Sequence, residues 1–388
     1  MANQQKWKVF FLLFVTMFLL GGIQNTKGLI LEQVQHDINL DIGQIGTLIV
    51  VFQIGFLVAS LLTGYLTDKK GLKIMMLTGS VMMAAGLIGT SLAYGILFFF
   101  GFYLIIGVGI GSMLVSIVTV IPTFYKEKSG MMFNISNAMF GVGMIVTPLI
   151  LQQLFSHDIS WRIFYVGIAV IVAIIIIVLA SLKLDKAQGM EMHLSDFVCL
   201  LKHGRLMLVI CFIVFYVAAE AAFLNFFPIF YGSLDISGSS TQDKMATAAY
   251  VISSFAVLFT VGRFIGGFIN MKLGDRKTLI LFSLFSLISI VISRQFAESF
   301  VYLFMVFGFS MSVLFPTASA VATKLTDKSG SAMGLIYVAS GLGGAFAGWL
   351  IGQVSQLYGV SVGFNLIIGF VAISFILTLF IREKAGTS

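Results

Sequence analysis

The acidic residues are the first place to look for chemistry in this chain, because a carboxyl group can bind and release a proton. Fifteen of the sixteen Asp and Glu residues fall in hydrophilic stretches, in the tails or at the ends of apolar runs, and only Glu220 lies deep within one. Burying an ionised carboxylate in hydrocarbon costs roughly 2.5–3.5 kcal/mol on insertion scales. Proton binding and release would justify that cost. The alternative is a neutral Glu220 that tethers its helix to a neighbour.

Residues at helical spacing from Glu220 add rings and hydrogen-bonding groups beside it. Tyr216 and Phe223 share its helix face, Phe227 lies one turn further on, and Asn225 follows within two turns. Aromatic faces stack on the C–H surface of a sugar or on a flat lipophilic compound, whereas Asn and Tyr hydrogen-bond hydroxyl groups. We therefore predict that these four residues contact a small-molecule substrate.

Polar residues also interrupt the first apolar run. The amides of Gln24 and Asn25 would be costly in lipid without partners, so we predict that they face a cavity or another helix and hydrogen-bond the substrate. Lys27 follows them, nearer the outer end of the run. It either pairs with Glu220 or extends its ammonium outward to the lipid headgroups, and the sequence leaves both alternatives open.

Apolar runs of this kind recur along the chain, in which 59% of the 388 residues are hydrophobic and 10% are charged. A helix of about 20 apolar residues crosses a bilayer, because lipid offers the backbone no hydrogen-bond partners. We predict an all-α integral membrane protein with twelve transmembrane helices. The predicted spans are 9–31, 45–66, 72–93, 97–124, 131–154, 162–182, 206–231, 248–271, 277–295, 299–322, 330–353 and 361–381.

The basic residues and the hydrophilic stretches predict topology and domains. All but five of the 23 lysine and arginine residues lie on one side when both termini are placed in the cytoplasm of a plasma-membrane protein. The five exceptions are Lys27, Arg162, Lys244, Arg263 and Arg294.

The longest hydrophilic stretch between spans, 183–205, predicts a cytoplasmic linker between six-helix bundles at 1–182 and 206–388.

Internal repetition supports two related halves. Two loops, 64–73 after the second span and 267–277 after the eighth, each contain a pair of glycines seven residues apart, and the pairs are offset by 203 residues. The pair Gly141 and Gly143 in the fifth span is echoed by Gly341 and Gly343 in the eleventh, at an offset of 200. Duplication of a six-helix unit predicts both repeats.

The first of these loops resembles the signature of the major facilitator superfamily, Gly-x-x-x-Asp-Arg/Lys-x-Gly-Arg/Lys. The matching residues are Gly64, Asp68, Lys69, Gly71 and Lys73. The resemblance implies two pseudo-symmetric six-helix bundles and a cytoplasmic latch that holds one conformation.

The second loop departs from the signature. Met271 stands where the acid belongs, so we expect a weaker latch in the second half. Arg263, nine residues before Lys272, is assigned to the same conformational latch.

Shorter patches resemble the fucose/hexose:proton symporter family, in its glucose/mannose-type branch. They are residues 20–25, 137–148, 215–220 and 314–317. The resemblance implies proton-coupled hexose uptake by alternating access, with the site at mid-membrane between the halves and Glu220 as the proton-linked group. The fucose permeases carry acids in spans one and four that are absent here, so their mechanism does not transfer.

Other functions remain as alternatives or are disfavoured. Proton-driven efflux of lipophilic drugs is the main rival, since the chain contains 39 Phe and 19 Met, and a non-transporting membrane sensor is the rival of another class. The chain has no Walker loop and no histidines at metal-ligand spacing, so we expect no enzyme, no metal and no cofactor.

The proton is the expected coupling ion, with sodium left open. The expected partners are a small-molecule substrate and the lipid bilayer, without nucleic acid, and the expected state is a monomer.

Overall fold

A computed structural model describes residues 3–124, 129–182, 200, 202–326 and 329–381, and the ordered elements in these ranges are helical. A single 3-10 turn, Val301–Leu303, accompanies the α-helices. The α-helices are α1 (Asn3–Asp37), α2 (Ile42–Lys70), α3 (Leu72–Leu92), α4 (Ile96–Phe124), α5 (Ser129–Ser156), α6 (Trp161–Ser181), α7 (Gly204–Gly232), α8 (Thr241–Leu273), α9 (Asp275–Gln295), α10 (Phe304–Met311), α11 (Leu314–Lys324), α12 (Ser329–Tyr358) and α13 (Val360–Phe380).

Within the described residues, twelve helical segments are long and apolar enough to cross a membrane. Eleven are single helices, and the tenth combines the 3-10 turn, α10 and α11. Helices suit this setting because each satisfies its own backbone hydrogen bonds. The prediction of an all-α membrane protein with twelve spans is confirmed.

The tenth span is broken at residues 312–313, between α10 and α11. Pro316 follows the break at the third position of α11. A proline has no N–H to donate and its ring crowds the carbonyl four residues earlier, which here belongs to Ser312. The helix therefore restarts just before the proline instead of running through it.

The chain divides into two compact units. The first unit comprises Met1–Asp41 with Thr47–Met190, and the second comprises Ile42–Gly46 with Glu191–Ser388. The division falls within the stretch predicted as the linker, of which 183–199 and 201 lie outside the described residues.

Helices pack in the same order inside each unit. In the first unit α1 packs on α5, and α3 packs on α4 and α6. In the second unit α7 packs on α12, and α9 packs on α10, α11 and α13. The correspondence is what duplication of a six-helix unit predicts.

The repeated glycines mark the tightest of these helix crossings. A Cβ atom at Gly143 of α5 would overlap the backbone carbonyl of Phe18 on α1. A Cβ atom at Gly343 of α12 would likewise overlap the carbonyl of Val214 on α7. Small residues at such positions let two backbones approach closely, which is how helices associate without water to drive them together.

The glycines that end the repeated loops have a conformational role. Gly71 precedes α3 with φ 92° and ψ 150°, and Gly274 precedes α9 with φ 79° and ψ 162°. Only glycine adopts this combination of angles without strain, because it has no Cβ. The repeat at an offset of 203 residues thus preserves one turn geometry.

Candidate functional site

Glu220 lies well inside a membrane-crossing helix. It is sixteen residues from the start of α7 and twelve from its end, or about 24 Å and 18 Å along the axis. Its side chain is partly exposed, unlike most of its neighbours on the helix. The hydroxyl group of Tyr216, one turn earlier, lies beside the carboxyl group of Glu220. The charge of Arg263 also acts on Glu220. The second unit thus holds a carboxyl group on a partly exposed residue, next to a phenol and within electrostatic reach of a guanidinium group.

Arg263 belongs to this group of charges. Its guanidinium carbon lies 4.4 Å from the ring centroid of Phe259, one turn earlier on α8. Arg263 lies seven residues, or about 10 Å, before Asn270, which is part of the polar cluster at the end of α8. The assignment of Arg263 to the latch stays a prediction, and the charge of Arg263 also acts on Glu220.

The rings predicted to contact substrate have a different environment. Phe223 and Phe227 are both 0% exposed. The centroid of the Phe223 ring lies 4.8 Å from that of Phe255 and 5.5 Å from that of Phe304, which in turn lies 5.0 Å from that of Phe227. Phe364 packs against the same rings. Both predicted residues therefore belong to an aromatic core of the second unit and present no free ring face.

The polar residues predicted beside them are buried, and each has one oxygen without a standard hydrogen bond. Tyr216 is 1% exposed and Asn225 is 3% exposed. In the described part of the chain, neither the Tyr216 hydroxyl nor the Asn225 Oδ1 has a hydrogen bond of standard length, although the hydroxyl lies beside Glu220. An unmet buried polar group costs about 1–3 kcal/mol. Water or a bound solute is needed to satisfy these atoms.

The amides predicted on the first span divide between structure and site. Asn25 is fully buried, and its Nδ2 donates a 2.6 Å hydrogen bond to the carbonyl of Met144, which ties α1 to α5. Gln24 is less buried, and both its Oε1 and the Asn25 Oδ1 have no partner among the described residues. Gln24 is therefore the freer of the two amides.

Lys27 is 8% exposed, and its Nζ lies 4.2 Å from the ring centroid of Phe52 on α2. The ammonium group therefore points into the first unit, whereas an outward extension to the headgroups would leave it exposed. The pairing of Lys27 with Glu220 stays a prediction.

The burial of an acid near the end of α1 was not predicted from the sequence. The helix α1 continues to Asp37, six residues beyond the predicted span, and Glu32 is only 5% exposed within it. Gln33 Nε2 donates a 3.0 Å hydrogen bond to Glu32, and His36 Nε2 lies 3.6 Å from it. Glu32 lies five residues from the end of α1, so it is an acid at a span end, as the sequence placed it, but a buried one. The signal was present, because residues 29–37 contain no proline or glycine to end the helix.

The first predicted latch is described in part, since the side chains of Gly64 and Asp68 lie outside the described residues. Lys69 is exposed at the end of α2. Lys73 Nζ donates hydrogen bonds to the carbonyls of Ala180 at 2.8 Å and Leu182 at 2.6 Å. A cation at the carboxyl end of a helix is favourable, so Lys73 stabilises the end of α6.

The second latch contains an acid despite Met271. Asp275, the first residue of α9, is 7% exposed, and its Oδ2 lies 2.6 Å from Lys324 Nζ on α11. Asn270 Nδ2 donates a 2.8 Å hydrogen bond to the same carboxylate. The second half, where we expected a weaker latch, therefore contains an ion pair between a buried acid and an exposed lysine. Its acid stands four residues later than the signature places it.

Two curated relatives match over most of this chain and of their own length. A protein TsgA homolog of Buchnera aphidicola subsp. Baizongia pistaciae (strain Bp) is 21% identical over 89% of this chain and 88% of its own length. The oxalate:formate antiporter of Oxalobacter formigenes is 22% identical over 98% of this chain and 92% of its own length.

Solved structures share the fold. The nucleoside transporter NupG superposes with a TM-score of 0.79 at 18% identity, covering 98% of each chain. The E. coli fucose:proton symporter FucP superposes with a TM-score of 0.66 at 19% identity, covering 97% of this chain and 99% of that one. At these identities the likeness extends to the fold alone.

The family model described as Major Facilitator Superfamily matches residues 10–269 and again 210–388. The two matches together span nearly the whole chain. The chain therefore belongs to the major facilitator superfamily, whose members are membrane transporters and not enzymes.

Proposed function

We propose that this transporter couples the uptake of a small hydroxylated solute, of the hexose class, to proton entry across the plasma membrane. Glu220 is the proton-linked group in this proposal, both termini lie in the cytoplasm, and no cofactor is needed. The observation that carries it is the carboxyl group of Glu220, on a partly exposed residue within α7, next to the Tyr216 hydroxyl and within electrostatic reach of Arg263.

The pair formed by Glu220 and Arg263 suits proton coupling. When Glu220 is ionised, Arg263 balances its charge in a medium where an unpaired charge is costly. When Glu220 is protonated, the positive charge of Arg263 has no counter-charge and must find other partners. One proton therefore changes the electrostatics of α7 and α8 together, which is the kind of local event that biases a two-state protein.

The unpaired polar atoms favour a hydroxylated solute. In the second unit, the Tyr216 hydroxyl and the Asn225 Oδ1 have no hydrogen bond of standard length within the described structure, and hydroxyl groups of a solute can supply them. In the first unit, the Gln24 Oε1 is likewise unpaired. The cargoes that the relatives' names give, oxalate and formate, nucleoside and fucose, differ from one another. The proposed substrate class therefore depends on the side chains of this chain.

Drug efflux receives less support from the same side chains. Its attraction was the abundance of aromatic residues, yet Phe223 and Phe227 are sealed within the aromatic core. A flat lipophilic compound needs accessible ring faces to bind. Drug efflux still predicts a distinct result, which is proton movement driven by a lipophilic cation.

The test uses purified protein in liposomes that contain a pH-sensitive dye. External glucose, gluconate, fucose, a nucleoside or a lipophilic cation is added to wild type and to the Glu220→Gln variant. We expect a hydroxylated solute to drive proton entry in wild type, and the rate to fall roughly tenfold or more in the variant. Solute exchange without a proton gradient persists in Glu220→Gln, because that exchange needs no proton transfer.

Glu298→Gln serves as the matched control, since Glu298 is an exposed acid outside the spans. Proton entry at the wild-type rate in Glu220→Gln would contradict the role of Glu220. Proton movement with the lipophilic cation alone would replace uptake by efflux.

A further inference from the structure

Lys27 is a buried cation that the proposed mechanism does not use. Its 8% exposure leaves the ammonium largely desolvated, with its Nζ above the ring of Phe52. No ion pair or hydrogen bond to Lys27 occurs within the described residues. An ammonium group carries three N–H donors, and a ring face offers electrostatic attraction but no lone pair. The site therefore lacks an anion that could accept these hydrogen bonds.

Other basic residues show that this fold supplies such partners where a charge has a structural role. Lys324 lies 2.6 Å from the carboxylate of Asp275. Arg162 lies 3.9 Å from Asp37 and also donates hydrogen bonds to the carbonyls of Ser91 and Ala93. Lys27 is more buried than Lys324 or Arg162, yet it has no carboxylate partner among the described residues.

Two unpaired polar atoms lie close to Lys27. Gln24 precedes it by three residues, so both side chains lie on neighbouring positions of α1, and Gln24 Oε1 has no partner. Across the Phe52 ring, the ring of Tyr103 on α4 lies 5.4 Å away between centroids, and the Tyr103 hydroxyl is also unpaired and 1% exposed. The first unit thus offers a cation over a ring of α2, an amide oxygen about one turn away on α1, and a hydroxyl group on the neighbouring ring of α4.

We propose that Lys27 binds a carboxylate of the transported solute, which makes that solute a hydroxylated carboxylic acid of the sugar-acid class. The transport of this solute, though not its binding, depends on the proposed function above. Lys27 donates to the carboxylate, Gln24 Oε1 accepts from a hydroxyl group and the Tyr103 hydroxyl donates or accepts. A small anion without hydroxyl groups, such as formate or nitrate, satisfies Lys27 but leaves Gln24 unpaired.

Binding is measured first, because it does not require proton coupling. Purified wild-type protein is heated with gluconate, glucose or formate at matched ionic strength, and the midpoint of thermal unfolding is followed. A ligand that binds the native state raises this midpoint. We expect gluconate to raise it at concentrations at least roughly tenfold below those that glucose or formate requires, since the ion pair and the hydroxyl contacts act together.

Three variants locate the effect. Lys27→Gln removes the charge, Lys27→Arg keeps it, and Lys8→Gln removes an exposed charge from the start of the same helix. We expect Lys27→Gln to lose the preference for gluconate, and Lys27→Arg and Lys8→Gln to keep it. If Lys27→Gln does not fold, the order of the three ligands on wild type and on Lys27→Arg decides the question.

The outcomes separate this inference from the proposed function. Equal effects of gluconate and glucose on wild type, or an unchanged gluconate effect in Lys27→Gln, would overturn the role of Lys27 even if a hydroxylated solute drives proton entry. An equal effect of formate would reduce the site to one for small anions and overturn the sugar-acid class. Gluconate binding that depends on Lys27, without solute-driven proton entry in liposomes, would support the site and contradict the proposed coupling.

Discussion

Individual charged residues in this protein fall into two groups. Some have partners that explain their burial, as in the ion pair of Asp275 with Lys324 or the hydrogen bonds of Lys73 to the end of α6. Glu220 and Lys27 differ, because one is partly exposed within a span and the other is buried without an anion. Since a charge inside a membrane is expensive, these two residues are where function is most strongly indicated.

The coupling of Glu220 to Arg263 can be measured with a double-mutant cycle. We expect Arg263→Gln to reduce solute-driven proton entry roughly tenfold or more, because the ionised Glu220 then lacks its counter-charge. The double variant Glu220→Gln with Arg263→Gln should lose much less than the product of the two single effects, since both changes remove one interaction. Initial rates in liposomes give the four values.

Arg294→Gln is the control for this cycle, because Arg294 donates a hydrogen bond to Asn365 and its guanidinium lies over the ring of Phe230, about 15 Å along α7 from Glu220. If the two residues act independently, the fold-change in rate caused by Arg294→Gln should multiply with the fold-change caused by Glu220→Gln. Multiplicative effects for Arg263 as well would show that the two groups act separately.

The sequence predicted the environment of a residue well where the apolar residues around it in the chain determine that environment. It did so poorly where contacts with other helices determine it. Glu220 stands out in any apolar run, so its position in α7 could be found without a structure. The burial of Glu32 depended on how far α1 continues, and that in turn on contacts such as the 2.8 Å hydrogen bond from Trp161 to Asp37. Phe223 shares a face with Glu220 by periodicity, yet rings from three other helices enclose it.

At the scale of elements, the ends of the helices are set by a few residues. Gly71 and Gly274 turn the chain between antiparallel spans with backbone angles that only glycine adopts freely. The break between α10 and α11 is set by Pro316. The sequence located the spans from composition, but it could not place this break, since prolines also occur inside unbroken helices such as α5 and α7.

The turn glycines give a direct test of backbone strain. We expect Gly71→Ala and Gly274→Ala each to destabilise the protein by about 1–3 kcal/mol, because alanine at these angles brings its Cβ into a clash. Thermal unfolding of the purified variants in detergent measures the change.

Gly95→Ala and Gly204→Ala are the matched controls, because neither glycine has a positive φ and a Cβ at either would meet at most one distant atom. We expect both controls to unfold close to wild type. A similar loss in all four variants would argue against a special backbone role for Gly71 and Gly274.

At the scale of the molecule, the two units repeat one arrangement of helices. The pairs α1 with α5 and α7 with α12 correspond, and each pair is held close by one glycine of the repeat seen in the sequence. The sequence could reveal this repeat because close helix approach leaves few residue choices. Lipid-facing positions accept many apolar residues, so the halves show little other likeness in sequence.

The corresponding crossings predict corresponding responses to substitution. In Gly143→Ala the new methyl group meets the carbonyl of Phe18, and in Gly343→Ala it meets the carbonyl of Val214. Each pair of helices must separate to accept it, at a cost of about 1–3 kcal/mol. We expect both variants to lower the midpoint of thermal unfolding by similar amounts.

Gly167→Ala in α6 and Gly369→Ala in α13 supply the controls, one in each unit, because a Cβ at either position meets open space. Those two should match wild type or exceed it slightly, since alanine favours a helix more than glycine does. A large loss from Gly143→Ala with none from Gly343→Ala would show that the two crossings are not equivalent, and that the sequence repeat does not extend to packing.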